Sequence, residues 1–261
     1  MKAYLDLLTD IVNFGSQKHP TRVESGLTKN GTIGLPNLVF KHNMQNGFPL
    51  ITTRKINWYA LVGELRCFLK GKTNNDSFRA EGCNFWTPWA REDGDLGPIY
   101  GRQWLNHGQL DHVLTALRKT PYDRRMVVSA WRPDEHDQMV LPPCHVMWGV
   151  VVFGRTLHLS WVQRSCDMPL GVPYNIASYA LLQLLLCEWS GLKPGTLTGL
   201  LCDAHIYVNQ MEGVREQLKR PYLQLPTVEV RFKDPDDFGS WECELHGYYS
   251  HPHIDFGEVE V

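Results

Sequence analysis

Residues Ile176 to Trp189 are apolar on almost every face of a helix, and the run closes at Gly191. A helix without a polar stripe cannot rest on a surface, so this one is expected at the centre of the molecule with other elements packed round it. Ser178, Gln183 and Glu188 interrupt it, and it is too short to cross a bilayer. No Ser/Gly/Pro-rich linker divides the 261 residues, so residues 1–261 are read as one domain with one large core.

The flanking pattern is α+β, with sheet and helices in layers. Helical spacing runs from Ala3 to Asn13 with Gly15 as a stop, from Trp58 to Lys70 before Gly71, and from Gln109 to Lys119 before Pro121. Strand composition marks Leu38-Val39-Phe40, Phe48 to Thr53, Met126 to Trp131, His145 to Phe153, Thr156 to Gln163 and Thr227 to Phe232. Gly154-Arg155 is a two-residue hairpin turn by type. Residues 16–36 read as a loop or hairpin, and 73–104 as irregular chain with an unusual density of aromatic residues.

The formal charge of −2, from 26 basic and 28 acidic residues, offers no broad basic field for nucleic acid, so any anion must be held locally. The first residues carry acids early and lack the apolar core of a signal peptide, and no run of eighteen apolar residues occurs. A cytoplasmic protein with neither DNA nor membrane as partner is expected. The seven cysteines are odd in number and none forms a CxxC pair, which argues against a zinc site and expects no metal. Most are read as reduced core residues, so Cys144 needs support beyond its identity.

That support comes from two runs, Leu141-Pro142-Pro143-Cys144-His145 and Gln163-Arg164-Ser165-Cys166-Asp167, followed by Asn175. Neighbouring residues on a strand face opposite ways, so His145 is poorly placed to be the base for Cys144. Arg164 lies on the next strand of a hairpin, where a guanidinium favours the nucleophilic thiolate, unless it serves only as a surface salt bridge. Arg124 and Arg125 after Asp123 suit a phosphate or a solvated charge cluster, and spacing alone does not decide. Asn175, just before the apolar run, reads either as its N-cap, the commoner role, or as an amide whose donor and acceptor match a uracil edge.

Taken together, these motifs resemble the folate-dependent thymidylate synthase family. The resemblance runs through Gly47-Phe48-Pro49-Leu50, Gly94-Asp95-Leu96-Gly97-Pro98-Ile99-Tyr100-Gly101, Asp123-Arg124-Arg125, Pro142-Pro143-Cys144-His145, Gln163 to Asp167 with Leu170-Gly171, Asn175 to Ala180, and Asp203-Ala204-His205-Ile206-Tyr207. It implies a mixed β-sheet packed by helices, with two chains joined sheet to sheet as a homodimer. It also implies that the Cys144 thiolate adds to C6 of dUMP, so that C5 takes the methylene group of 5,10-methylene-tetrahydrofolate, a co-substrate. The folate then leaves and returns a hydride, giving dTMP and dihydrofolate. On this resemblance Arg22, Gln163, Arg164 and Ser165 hold the nucleotide, with Arg124 and Arg125 reaching its phosphate from the partner subunit. Asn175 reads the base, and His205 and Tyr207 the sugar. Glu64 organises proton transfer; Phe85, Trp86, Trp89, Leu141, Leu170, Gly171, Tyr174 and Val261 line the folate site; and Asp167 bonds the pterin.

The chain departs from the family pattern in places. Residues 23–32 lack the usual Arg-Thr-Gly-Thr-Gly-Thr and are longer, which weakens the assignment of Arg22. Gly149 stands where glutamine is common, Cys202 where glycine is, Gln210 where histidine is, and Arg66-Cys67 in place of Leu-Trp. Related enzymes quench the methylene intermediate with water, giving a 5-hydroxymethyl nucleotide, sometimes from cytidylate. Asn175 argues against cytosine, and Trp86, Leu141 and the terminal Val261 argue for a dry pocket and hydride return. A silent homologue that binds nucleotide or RNA would have lost Cys144, Arg164 or Asn175, and a cysteine hydrolase would need the dyad that strand geometry disfavours.

Overall fold

The computed structural model describes residues 1–19, 21–22, 26–27 and 31–257, so Val261 and the side chain of Arg22 lie outside the described residues. Seven α-helices are described: α1 (Lys2–Phe14), α2 (Trp58–Leu69), α3 (Asn75–Ala80), α4 (Tyr100–Leu105), α5 (Gln109–Lys119), α6 (Gly171–Ser190) and α7 (Met211–Lys219). The strands among the described residues are β1 (Ser16–Lys18), β2 (Thr21–Arg22), β3 (Gly26–Leu27), β4 (Thr32–Asn43), β5 (Val127–Ser129), β6 (His145–Phe153), β7 (Thr156–Asp167), β8 (Lys193–Tyr207), β9 (Thr227–Phe232) and β10 (Trp241–His246).

Six strands form one mixed sheet in the order β1-β4-β8-β7-β6-β5. Among the described residues of this sheet only β7 and β8 run parallel. A parallel pair needs a long crossover, and α6 supplies it. The helix packs against the sheet with Val172, Ile176, Tyr179, Leu182 and Leu186 buried among other apolar side chains. Gln183 is buried too, and its Nε2 donates to Leu157 O at 2.9 Å, so a residue that interrupts the apolar run ties helix to strand. Gly191 ends the helix in the left-handed conformation, φ +67°. No helix among the described residues is long and apolar enough to cross a membrane.

The two faces of the sheet differ. Trp148, Val150, Leu157, Leu159, Trp161 and Leu197 point into the core, whereas Val39, Val127, Met147, Val151, Phe153 and Leu200 are exposed. Gly199 sits opposite Trp161 on the core side, where a Cβ would overlap the indole ring.

Several elements differ from expectation. The helix α6 begins at Gly171, five residues before Ile176, with Leu170 as N-cap, so Asn175 lies inside the helix and does not cap it. Pro173 falls in the first turn, where a missing N–H costs no helical bond. Residues 48–53 are extended but join no ladder; Thr52 and Thr53, both buried, bond instead to Leu223 N (2.8 Å) and Gln217 Nε2 (3.0 Å). Within residues 16–36, read as loop or hairpin, β1 pairs antiparallel with Thr32 to Gly34 and β2 with β3, in keeping with the hairpin reading, while Thr32 to Pro36 open the long strand β4. The short β1 pairs only Thr32 to Gly34, so one side of β4 beyond them is a sheet edge that tolerates Pro36. The 73–104 stretch holds two short helices, α3 and the start of α4, and β8, α7 and β10 are not among the elements expected from sequence.

Candidate functional site

The site is built where β6 starts and where the parallel strands β7 and β8 end side by side. Arg164 N donates to Cys144 O at 2.8 Å, which sets the cysteine opposite the arginine on adjacent chains. The guanidinium folds back on the segment before the thiol, with Nε donating to Pro143 O and Nη2 to Pro142 O, both at 2.9 Å. It also lies 5.4 Å from the centre of the Trp131 ring, a cation–π contact. Tyr100 OH accepts from Cys144 N at 2.6 Å.

Burial pushes the Cys144 thiol above its ordinary value; the Arg164 guanidinium pulls it down, Asp167 pushes it up and the Tyr100 hydroxyl pulls it down. Burial wins. The Arg164 guanidinium thus opposes the effect of burial on the Cys144 thiol without overcoming it. His145 turns into the core, its Nδ1 2.7 Å from Tyr179 OH and its ring stacked 4.0 Å from that of Tyr100. Burial lowers its pKa to about 3, so it stays neutral and forms no dyad with the thiol.

Asn175 faces the same group from α6. Its Oδ1 accepts from Gln163 Nε2 at 3.0 Å, while Gln163 Oε1 takes the indole N–H of Trp161 at 3.2 Å. An oxygen that accepts from Gln163 orients the Asn175 amide, and a carbonyl oxygen keeps a second lone pair for a further donor. Ser165 is half-buried beside Gln163 and pairs in register with Asp203.

Glu64 on α2 accepts from Trp86 Nε1 at 2.9 Å. Burial raises its pKa from an ordinary 4.5 to about 7, with the Trp86 bond opposing. The carboxyl therefore titrates near neutrality, where a group that both takes and gives protons works best. The ring of Trp86 contacts Tyr100, 6.0 Å between centroids, and Trp89, 6.4 Å, so Tyr100 links the Glu64 wall to Cys144. Phe85 meets Tyr174 edge-on at 4.8 Å, and the Tyr174 hydroxyl accepts from Asn57 N at 3.2 Å. Leu141 and Leu170 pack half-buried against the core, and Gly171 opens α6.

Asp167 ends β7 opposite His205 of β8. Its Oδ1 accepts from Leu170 N at 3.1 Å and its Oδ2 from Gln210 Nε2 at 3.2 Å. Burial raises its pKa, opposed by these two donors and by the nearby His205 and Arg54. His205 is buried with Nδ1 3.0 Å from Asp203 O, and Tyr207 N donates to Gln210 Oε1 at 3.0 Å.

Arg124 and Arg125 are not part of this group within one chain. Both are exposed ahead of β5, and Arg125 is paired with Asp123 through two bonds of 3.0 Å. Arg124 borders a shallow hollow of about 140 Å³ on the outer sheet face, with Met147, Gly149 and Val162. The backbone of Arg22 pairs with Gly26 in the small β2–β3 hairpin. Among the described residues no cluster of His, Cys, Asp and Glu could hold a metal ion.

Sequence reasoning assigns no role to Tyr100, Trp131 or Gln210. Tyr100 stands inside a motif of the resemblance, and Gln210 stands out only as a departure from histidine. The family profile described as thymidylate synthase matches residues 2–260, nearly the whole chain. With a mixed six-stranded sheet backed by helices and a cysteine held against an arginine at the strand ends, the chain belongs to the thymidylate synthase family, whose members transfer a folate-borne one-carbon unit to a pyrimidine nucleotide, dUMP above all.

Proposed function

We propose that this chain, a single catalytic domain, converts dUMP and 5,10-methylene-tetrahydrofolate into dTMP and dihydrofolate. The observation that carries the reading is the line from Glu64, titrating at about 7, through Trp86 and Tyr100 to Cys144 beside Arg164. Cys144, as thiolate, bonds to C6 of the uracil, and Arg164 stabilises the negative sulfur both before addition and on its release. Asn175, its amide oriented by Gln163, reads the base edge, and His205 and Tyr207 hold the sugar. Glu64 moves the proton that C5 loses when it gains the methylene carbon. Trp86, Trp89, Phe85, Leu141, Leu170, Gly171 and Tyr174 form the folate wall, with Asp167 accepting from the pterin.

Hydride return is favoured over attack by water because Trp86 is only 5 % exposed and its N–H is tied to Glu64, which keeps that wall dry. A homodimer is supported by the apolar outer sheet face, where Phe153 is 72 % and Val151 48 % exposed. Pairing there would let Arg124 and Arg125 of one chain reach the phosphate held by Arg22 and Ser165 in the partner's site.

Incubation with dUMP and methylene-tetrahydrofolate, with both products weighed by mass spectrometry, tests the reading. Thymidylate with dihydrofolate is expected. Hydroxymethyl-dUMP with tetrahydrofolate would show instead that water quenches the intermediate.

A further inference from the structure

Gln210 is fully buried in the turn between β8 and α7, with none of its surface exposed. Its Oε1 accepts from Tyr207 N at 3.0 Å and its Nε2 donates to Asp167 Oδ2 at 3.2 Å. These partners fix the amide's orientation, because a backbone N–H can only donate and a carboxylate only accepts. The other Asp167 oxygen takes Leu170 N at 3.1 Å, so each carboxylate oxygen has a donor. The strand ends are already joined nearby by Met168 N donating to His205 O at 2.9 Å, so the glutamine is not needed to bring β7 and β8 together.

We propose that Gln210 is a positioning residue, a single amide that aims the Asp167 carboxylate at the folate and holds the Tyr207 backbone beside the nucleotide sugar. This rests on the assignment of Asp167 to the pterin and Tyr207 to the sugar. One side-chain amide thus couples the two substrate subsites, and it carries no charge of its own. A neutral imidazole also offers one donor and one acceptor nitrogen, so histidine can bridge the same pair. Leucine can bridge neither.

Gln210→Glu, assayed at a pH high enough to ionise it because a protonated carboxyl could still donate to Asp167, keeps the oxygen that accepts from Tyr207 N and replaces the donor to Asp167 with a second acceptor. Steady-state kinetics are expected to show kcat/KM for methylene-tetrahydrofolate falling about tenfold or more, as for loss of a bond to a charged group. The loss should appear mainly in KM for the folate. dUMP binding measured by calorimetry without folate should change less. Gln210→His should recover most of the loss. In an Asp167→Asn background the Gln210→Glu effect should largely disappear, since the group being aimed has changed.

A variant with wild-type folate kinetics overturns the inference. So does an equal loss for both substrates accompanied by a lower melting temperature, the mark of a merely structural turn. If the wild-type enzyme makes no product from dUMP and methylene-tetrahydrofolate, the functional reading itself fails, and that result is seen before any variant is compared.

Discussion

Glu64→Gln should make the protein more stable while removing its activity, and the two effects have the same cause. The wild-type carboxyl is shifted from an ordinary 4.5 to about 7 because burial disfavours its ionised form. At ~1.4 kcal/mol per pH unit this gap is at most about 3.5 kcal/mol. In the pH range between those two values the folded state holds a proton that the unfolded state has released, so wild-type stability falls as pH rises from about 4.5 to about 7 and is level above. Glutamine cannot ionise, and its amide oxygen can still accept from Trp86 Nε1. Chemical denaturation at one fixed protein concentration should therefore show the Glu64→Gln variant gaining up to about 3.5 kcal/mol at pH 8 and almost nothing below pH ~4.5. Turnover at pH 7 should fall by about a hundredfold or more, as when a general acid–base group is lost. A gain that does not vary with pH, or a loss of stability at pH 8, would refute the claim that burial holds this carboxyl near neutrality.

Three further outcomes follow from the site and the sheet. Cys144→Ala should abolish turnover yet leave dUMP binding measurable by calorimetry, because Arg164 is held by Pro142 and Pro143 rather than by the thiol; normal turnover would remove the nucleophile from the mechanism. Asn175→Asp should move preference from dUMP toward dCMP in paired kinetic assays, since a carboxylate suits cytosine's amine, and unchanged preference would contradict base reading by this amide. Gly199→Ala should cost about 1–3 kcal/mol, the usual penalty for overpacking, because the new methyl runs into the Trp161 ring; an unshifted denaturation midpoint would show that the indole gives way freely.

What could be read from sequence divides along a physical line. The all-round apolar run is readable as the central helix α6 because burial leaves no polar face. Its true start at Gly171 is not, since Gly-Val-Pro looks like a break until the proline is seen in the first turn, where its missing N–H is harmless. Phe48 to Thr53 has the composition of a strand, but composition reports burial, and here the buried hydroxyls bond to α7 and the segment after it instead of the backbone joining a ladder. The strand β8 is hidden by Gly195 and Gly199, residues that weaken strand propensity, and at Gly199 a tertiary neighbour, Trp161, explains the choice. The same division runs through the site. Thiol, guanidinium and amide announce themselves by type, and so can be named as candidates from motifs alone. Orientation does not, because it is set by pairs apart in sequence: Gln163 with Asn175, Trp86 with Glu64, Gln210 with Asp167. That is why Asn175 can be read as a cap, and why Gln210 stands out only as an unusual letter. A residue whose work is to aim another has no chemistry of its own to advertise, and only the fold that brings the ends of β7 and β8 together shows what it holds.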